Sequence, residues 1–259
     1  MTPFAERLGP ILLAHRGARL LAPENSLEAF EAALRAGADG IETDVQCSCD
    51  GHVVLAHDPH GRGTARVDRA IVECALSELN GWDIGCGPAV TAGRGPVRMP
   101  TLEAALHAFP AVAFNVDIKV HTRAAVDAVL AAVARCGAAQ RVLLTSFSTA
   151  VMRHVRARRY AGPTGVAQLE AIATLLLRRP APAGAQRLQI PERFGALPLD
   201  RSWTIARAHA AGLRIDYWVV NEPARAHALL ALGADGIVTD DPAAIAPVVA
   251  RARQASARS

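Results

Sequence analysis

Aromatic residues make up only 4% of this 259-residue chain, and lysine occurs once, at Lys119, although Lys and Arg together number 28. The arginines are scattered through Ala-rich stretches, with no basic block interleaved with aromatics, so nucleic acid is not an expected partner. No segment approaches the roughly 18 uninterrupted apolar residues of a spanning helix, so membrane insertion is not expected either. The opening run MTPFAERLGPILLAHRGARLL carries Glu6 and Arg7 early and has only a short apolar stretch. It does not read as a signal peptide, and cytoplasmic residence is the expectation. The five cysteines are odd in number and lack C-x-x-C spacing, which argues against a disulfide framework and a structural zinc site. Cys47 and Cys49 share one face of an expected strand and read as small buried thiols.

What the chain does hold is apolar material for a sizeable core, 51% hydrophobic against 20% charged residues, a balance that excludes a disordered chain. A formal charge of +4 suits a small anionic substrate. The length fits one (β/α)₈ barrel and would also permit two domains.

Patterning favours the barrel. Short apolar runs beginning at Ile11, Gly40, Val112, Arg141, Pro163, Arg187, Arg214 and Gly236 give eight expected strands, and between most of them lie stretches of helical period, 26–36, 123–135, 149–159, 202–211 and 223–232. Such alternation predicts a parallel sheet, because parallel neighbours need helical crossovers. Asn25, with Glu28 three residues on, reads as a helix cap, and Gly37 as a left-handed stop. Ala-Gly-Ala-Asp-Gly at 36–40 and Leu-Gly-Ala-Asp-Gly at 232–236 read as two uses of one helix-to-strand loop. The segment 57–100, with Gly61, Gly63, Gly81, Gly85, Gly87, Gly93 and Gly95 and with Arg62, Arg66, Arg69 and Arg94, is too long for an ordinary loop. It predicts an insertion after the second barrel strand, as a small subdomain or a lid over the site. The stretch 178–186 reads as a plain exposed connection.

Glu42 and Asp44 stand two apart in an expected strand, so both leave one face. If that face is the barrel interior they need a cation, since close buried carboxylates otherwise lose their ionisation; the other reading turns them to solvent beside helix arginines. Asp117 and Lys119 repeat the spacing in the next strand. A lone lysine in an arginine-rich chain suits a place where a compact ammonium is required, as beside a metal or a phosphate oxygen. His15 ends the first strand, His57 closes the run HVVLAHD, and Trp218 ends the seventh strand. All lie at strand ends of the kind where barrel enzymes build their sites.

The runs HRG at 15–17, PEN at 23–25, ExD at 42–44, DG at 50–51, HDP at 57–59, DxK at 117–119, SF at 146–147, WVVN at 218–221 and GADGIVTDDP at 233–242 together resemble the glycerophosphodiester phosphodiesterase family in order and spacing. The resemblance spans about residues 10–248. It implies one TIM-barrel domain, a divalent Ca²⁺ or Mg²⁺ ion, and hydrolysis of glycerophosphodiesters to glycerol 3-phosphate and an alcohol. It also implies that His15 and His57 are acid and base, that Glu42, Asp44 and Asp117 are metal ligands, and that Arg16 and Lys119 bind phosphate; Trp218, on the same rim by position, reads either as a substrate contact or as a core aromatic. Asp117 stands where the family usually has glutamate, one methylene longer.

Two rival readings share the barrel. One is a phospholipase D- or C-like diesterase acting on lysophospholipids or phosphoinositides; it would want an apolar mouth, and the Gly- and Arg-rich segment 57–100 argues for soluble diesters instead. The other is a silent barrel that binds a phosphorylated ligand, from which a histidine or carboxylate would be missing; none is.

Overall fold

The computed structural model describes residues 9–86 and 95–256; Gly87, Gly93 and Arg94 lie outside them. In chain order the strands are β1 (Ile11–Ala14), β2 (Gly40–Cys47), β3 (Val53–Leu55), β4 (Ala113–Ile118), β5 (Val142–Thr145), β6 (Thr164–Gly165), β7 (Ala185–Ile190), β8 (Arg193–Phe194), β9 (Leu197–Pro198), β10 (Arg214–Tyr217) and β11 (Gly236–Thr239). The helices are α1 (Leu27–Arg35), α2 (Leu76–Leu79), α3 (Leu102–Ala108), α4 (Arg123–Arg135), α5 (Thr149–Ala157), α6 (Gln168–Leu175), α7 (Ser202–Ala210), α8 (Pro223–Ala231) and α9 (Pro242–Ser256).

Strands β1, β2, β4, β5, β6, β7, β10 and β11 pair in parallel, and the β1–β2 pairing of Leu13 with Gly40 and Ala14 with Ile41 closes the ring. This is a TIM barrel, and all eight strands start within two residues of the expected positions. Alternation along β1 shows how it is filled: Ile11 and Leu13 join Leu143 and Val238 in one interior cluster, whereas Leu12 packs with Ile205, Ile215 and Ile245 on the helix side. A strand buried on both faces reads as a continuous apolar run, which is why ILLA shows no polar alternation.

Local chemistry sets the helix ends. Ser26, not Asn25, caps α1, accepting from the Ala29 N–H at 3.0 Å; Asn25 spends its side chain on β2 instead. Gly37 (φ +93°) and Gly233 (φ +102°) adopt left-handed geometry after α1 and α8. The aspartate that follows each accepts a strand N–H, Leu12 to Asp39 at 2.8 Å and Ile215 to Asp235 at 2.9 Å, so the repeated Gly-Ala-Asp-Gly is one loop solution used twice. Cys47 is buried in β2, but Cys49 is exposed, because the chain has left the strand at the Ser48–Gly51 turn.

After that turn, β3 runs antiparallel to β2, and the chain folds a small core of Val54, Ile71, Cys74, Leu79, Trp82 and Met99 before α3. No helix among the described residues is long and apolar enough to cross a membrane.

Candidate active site

A pocket of about 400 Å³ opens at the C-terminal ends of the barrel strands, and His15, Arg16, Glu42, Asp44, His57, Asp117, Lys119 and Trp218 all line it. The expected site residues are therefore brought to one place. Glu42 and Asp44 face inward, 7% and 1% exposed, which decides against the solvent-facing reading. Asp44 and Asp117 are register partners across β2 and β4. His57 arrives by the antiparallel β3, not from the end of a barrel strand.

Backbone geometry builds the His-Arg-Gly turn. Arg16 (φ +51°) and Gly17 (φ +79°) are both left-handed, which turns the Arg16 N–H toward Glu42 Oε2 at 3.0 Å. A side chain at Gly17 would place its Cβ 2.7 Å from the Ala29 Cβ and 2.9 Å from Phe30 Cδ1, so only glycine lets the turn pack on α1. The Arg16 guanidinium donates to Glu24 at 2.9 Å and stands 3.3 Å from Asp44.

Lys119 Nζ lies between two carboxylates, 2.6 Å from Asp117 Oδ2 and 3.0 Å from Asp44 Oδ1. These two neighbours outweigh the effect of burial and hold its ammonium protonated. Three buried carboxylates still exceed the cations that face them. Burial, together with Asp44 and Asp117, pushes the Glu42 carboxyl well above its ordinary range, against the Arg16 N–H and Lys119. Burial likewise raises Asp117, although Lys119 opposes it.

Each catalytic-candidate histidine has one ring nitrogen engaged. His15 Nδ1 meets Asp240 Oδ1 at 2.7 Å, leaving Nε2 toward the site, 4.0 Å from Glu42. Asn221 donates to the other Asp240 oxygen at 3.1 Å. His57 Nδ1 meets Asp58 Oδ1 at 2.7 Å, and Gln46 donates to the His57 carbonyl at 3.1 Å. A carboxylate on Nδ1 selects the tautomer and holds the ring. Asn25 accepts from Thr43 Oγ1 at 2.7 Å and from the Asp44 N–H at 3.2 Å, and donates to Asp44 at 3.3 Å. Asp240 and Asn221 were left without roles by the sequence, and Asn25 was read only as a helix cap, although each lies in a conspicuous run, GADGIVTDDP, WVVN or PEN. Their partners are distant in the chain, and that is what hid them.

Among the described residues, no group of three or more His, Cys, Asp or Glu stands at ligating spacing; Lys119 takes the gap between Asp44 and Asp117. The donor set nonetheless suits a hard cation. Asp117 Oδ1 is buried with no hydrogen-bond partner, and Glu42 lacks a counter-charge of its own.

Among the described residues of the segment 57–100, only His57 lines the pocket. The wall comes from α6 and from the β8–β9 hairpin, neither of which stood out in the sequence. Phe147 joins the rim, edge-on to Trp218 with ring centroids 5.8 Å apart, and Lys119 Nζ lies 5.6 Å from its ring centre.

Comparisons with known proteins bear on the family and the fold. The profile of the glycerophosphoryl diester phosphodiesterase family matches residues 15–244. The chain is 32% identical over 250 residues to the Mycobacterium tuberculosis protein named probable glycerophosphodiester phosphodiesterase 2, covering 92% of this chain and 89% of that one. The fold is similar to that of glycerophosphodiester phosphodiesterase from Agrobacterium tumefaciens, with a TM-score of 0.76, 24% identity, and 92% and 98% of the two chains covered. It is also similar to an Oleispira antarctica phosphodiesterase solved in complex with its product sn-glycerol-3-phosphate, with a TM-score of 0.74, 23% identity, and 93% and 97% covered. By this match along most of its length, the chain belongs to the glycerophosphoryl diester phosphodiesterase family.

Proposed function

We propose that this enzyme hydrolyses glycerophosphodiesters to glycerol 3-phosphate and an alcohol, with His15 and His57 as the proton-transfer pair and one divalent ion, Ca²⁺ or Mg²⁺, held by Glu42, Asp44 and Asp117. The observation that carries the reading is the paired geometry of the histidines: both line the pocket that holds the carboxylates, and both have Nδ1 engaged by an aspartate.

A phosphodiester resists attack because its oxygens are negative and the leaving alkoxide is poor. One histidine takes the proton of the attacking hydroxyl and the other protonates the departing oxygen, each step worth about 10²- to 10⁴-fold. With Nδ1 held by Asp240 or Asp58, Nε2 is the working atom in each. Lys119 and Arg16 face the phosphoryl oxygens and offset developing charge. Trp218 covers one side of the substrate. A bound divalent ion would supply charge neutralisation at the phosphoryl group; the orphaned Asp117 oxygen and the unbalanced Glu42 are what invite it.

The test is an assay of chelator-stripped protein against glycerophosphocholine, glycerophosphoethanolamine and glycerophosphoinositol, with calcium and magnesium restored separately. Release of glycerol 3-phosphate that returns with one of the ions supports the reading. Full activity after stripping overturns the metal assignment, and no release from any substrate overturns the activity.

A further inference from the structure

Residues 25–44 and 221–240 carry one device twice. Each segment opens on an asparagine, runs through a helix, α1 or α8, and closes on Gly-Ala-Asp-Gly-Ile, one variable residue and Thr-Asp. The folded chain repeats the contacts as well as the letters. Asn25 accepts from Thr43 Oγ1 and from the Asp44 N–H and donates to Asp44 Oδ2. Asn221 accepts from Thr239 Oγ1 at 3.0 Å and from the Asp240 N–H at 2.8 Å, and donates to Asp240 Oδ2 at 3.1 Å. In both, the asparagine stands 18 residues before the threonine. Asn25 is buried but Asn221 is exposed, so the need to satisfy a buried amide does not explain the second use.

Both segments deliver their last two residues beside β1, because β2 and β11 are its neighbours on either side. The first brings Asp44 to the carboxylate cluster. The second builds the seat of His15, whose N–H donates to the Thr239 carbonyl at 2.7 Å and whose ring Nδ1 meets Asp240 Oδ1 at 2.7 Å. That oxygen has a second suitor. Arg19 Nε stands 3.4 Å from it, on a side chain 36% exposed, and a carboxylate free to turn would follow the guanidinium toward solvent, since such charge-assisted bonds are strong. Asn221 holds the other oxygen and opposes the turn.

We infer that Asn221 is a positioning residue for proton transfer: by fixing Asp240 it keeps the His15 ring in the tautomer with hydrogen on Nδ1 and a bare Nε2 facing the site. The inference rests on the reading of His15 as one of the proton-transfer pair. A ring that lost this acceptor would also populate the Nε2–H form, which has no lone pair for the reacting proton. Neither Asn221 nor Asp240 lines the pocket, so the effect falls on kcat and not on substrate binding.

The experiment places Asn221→Ala in the parent and in an Asp240→Ala background, with the activating ion present. Steady-state kinetics on glycerophosphocholine is read beside the NMR shifts of the ring nitrogens in histidine-labelled protein, the His15 signals being those absent from His15→Ala. In the parent, kcat should fall about tenfold with KM unchanged, and the His15 signals should move from the Nδ1–H tautomer toward a mixture with Nε2–H. With Asp240 already removed, the further fall should be less than about twofold, because the two residues act as one unit. Asn221→Asp keeps an acceptor for Thr239 and the Asp240 N–H and loses only the donor; it should reproduce both changes, which separates the aim of the carboxylate from the folding of the loop. Parental kcat with unmoved His15 signals, equal falls in the two backgrounds, or a fall in kcat with the Nδ1–H tautomer retained would overturn the role. If the parent releases no glycerol 3-phosphate, the diesterase reading fails, and the ring-nitrogen signals alone still decide whether Asn221 sets the tautomer.

Discussion

His15 Nδ1 and Asp240 Oδ1 lie 2.7 Å apart across 225 residues of sequence, joining the end of β1 to the residue after β11. The pairing is made possible by barrel closure, since β1 and β11 are neighbours in register from Ile11–Gly236 to Ala14–Thr239. The Asp240 carboxyl sits below its usual range: burial opposes ionisation, but hydrogen bonds from His15 and Asn221 outweigh it.

Asp240→Asn leaves the shape of that contact but removes its charge and turns one of the two oxygens facing His15 and Asn221 into an N–H donor, so the His15 ring loses the anionic acceptor that selects its tautomer. We expect kcat to fall about 10²-fold with KM little changed. His15→Ala and His57→Ala should abolish turnover while thermal unfolding stays cooperative. Steady-state kinetics with melting curves on the same samples checks all three, and a His15→Ala enzyme that retains most of its activity would sink the assignment.

Glu42 carries the pH prediction. In the metal-free protein its carboxyl holds a proton to a higher pH than in the unfolded chain, whose ordinary value is 4.5. Above that value the unfolded state binds fewer protons than the folded state, so Glu42 makes stability decline as pH rises until the folded carboxyl also ionises. Glu42→Gln should therefore gain stability relative to the parent as pH increases, read as the difference in urea midpoints of stripped protein. Restoring the divalent ion to the parent at about 100 times its Kd should add about 2.7 kcal/mol. Parallel midpoints for the two proteins across the pH series would contradict the Glu42 account.

Inside the barrel, Arg187 and Asp216 form a doubly hydrogen-bonded pair, with Arg187 Nε 2.7 Å from Asp216 Oδ2 and the two side chains 2% and 0% exposed. Arg187→Met would strand a buried carboxylate and should cost about 3–5 kcal/mol. The double substitution Arg187→Met, Asp216→Leu removes both charges and should recover most of that loss. Chemical denaturation of the three proteins gives the coupling directly, and a double variant as unstable as the single one would show that packing, not the stranded charge, set the cost.

Two glycines separate backbone strain from crowding. Gly137 has φ +59° with nothing within 4 Å of an added Cβ, whereas Gly17 has φ +79° and Ala29 and Phe30 in the way. Gly137→Ala should cost about 1–2 kcal/mol from the left-handed backbone alone. Gly17→Ala should cost more, and it should also lower activity, because any shift of the turn moves the Arg16 N–H off Glu42. Equal losses at both sites in matched denaturation curves would contradict this.

The elements that the sequence marked well are those whose signal is local. Arg123–Arg135 is helical over the residues anticipated, because its apolar positions recur at helical period and Thr122 stands ready to cap it, accepting from the Ala125 N–H at 3.2 Å. Asn25 misled, since a residue able to cap a helix was drawn instead to Thr43 and Asp44 in β2, a competition no local pattern records. The apolar wall has no local signal of that kind: Ile172 and Leu175 of α6 meet Phe194 and Leu197 of the β8–β9 hairpin only in the folded chain.

By itself the sequence determined the eight-strand alternation, the two histidines, the three carboxylates, the lone lysine and the family they belong to, because strand period and motif spacing are properties of neighbouring residues. Tertiary structure alone decided that Asp240 holds His15, that Lys119 stands between Asp44 and Asp117, and that α6 and the β8–β9 hairpin wall the pocket. Those relations join residues from different strands and loops, and they come into being only when the ring of parallel strands closes and sets all the strand ends around one mouth.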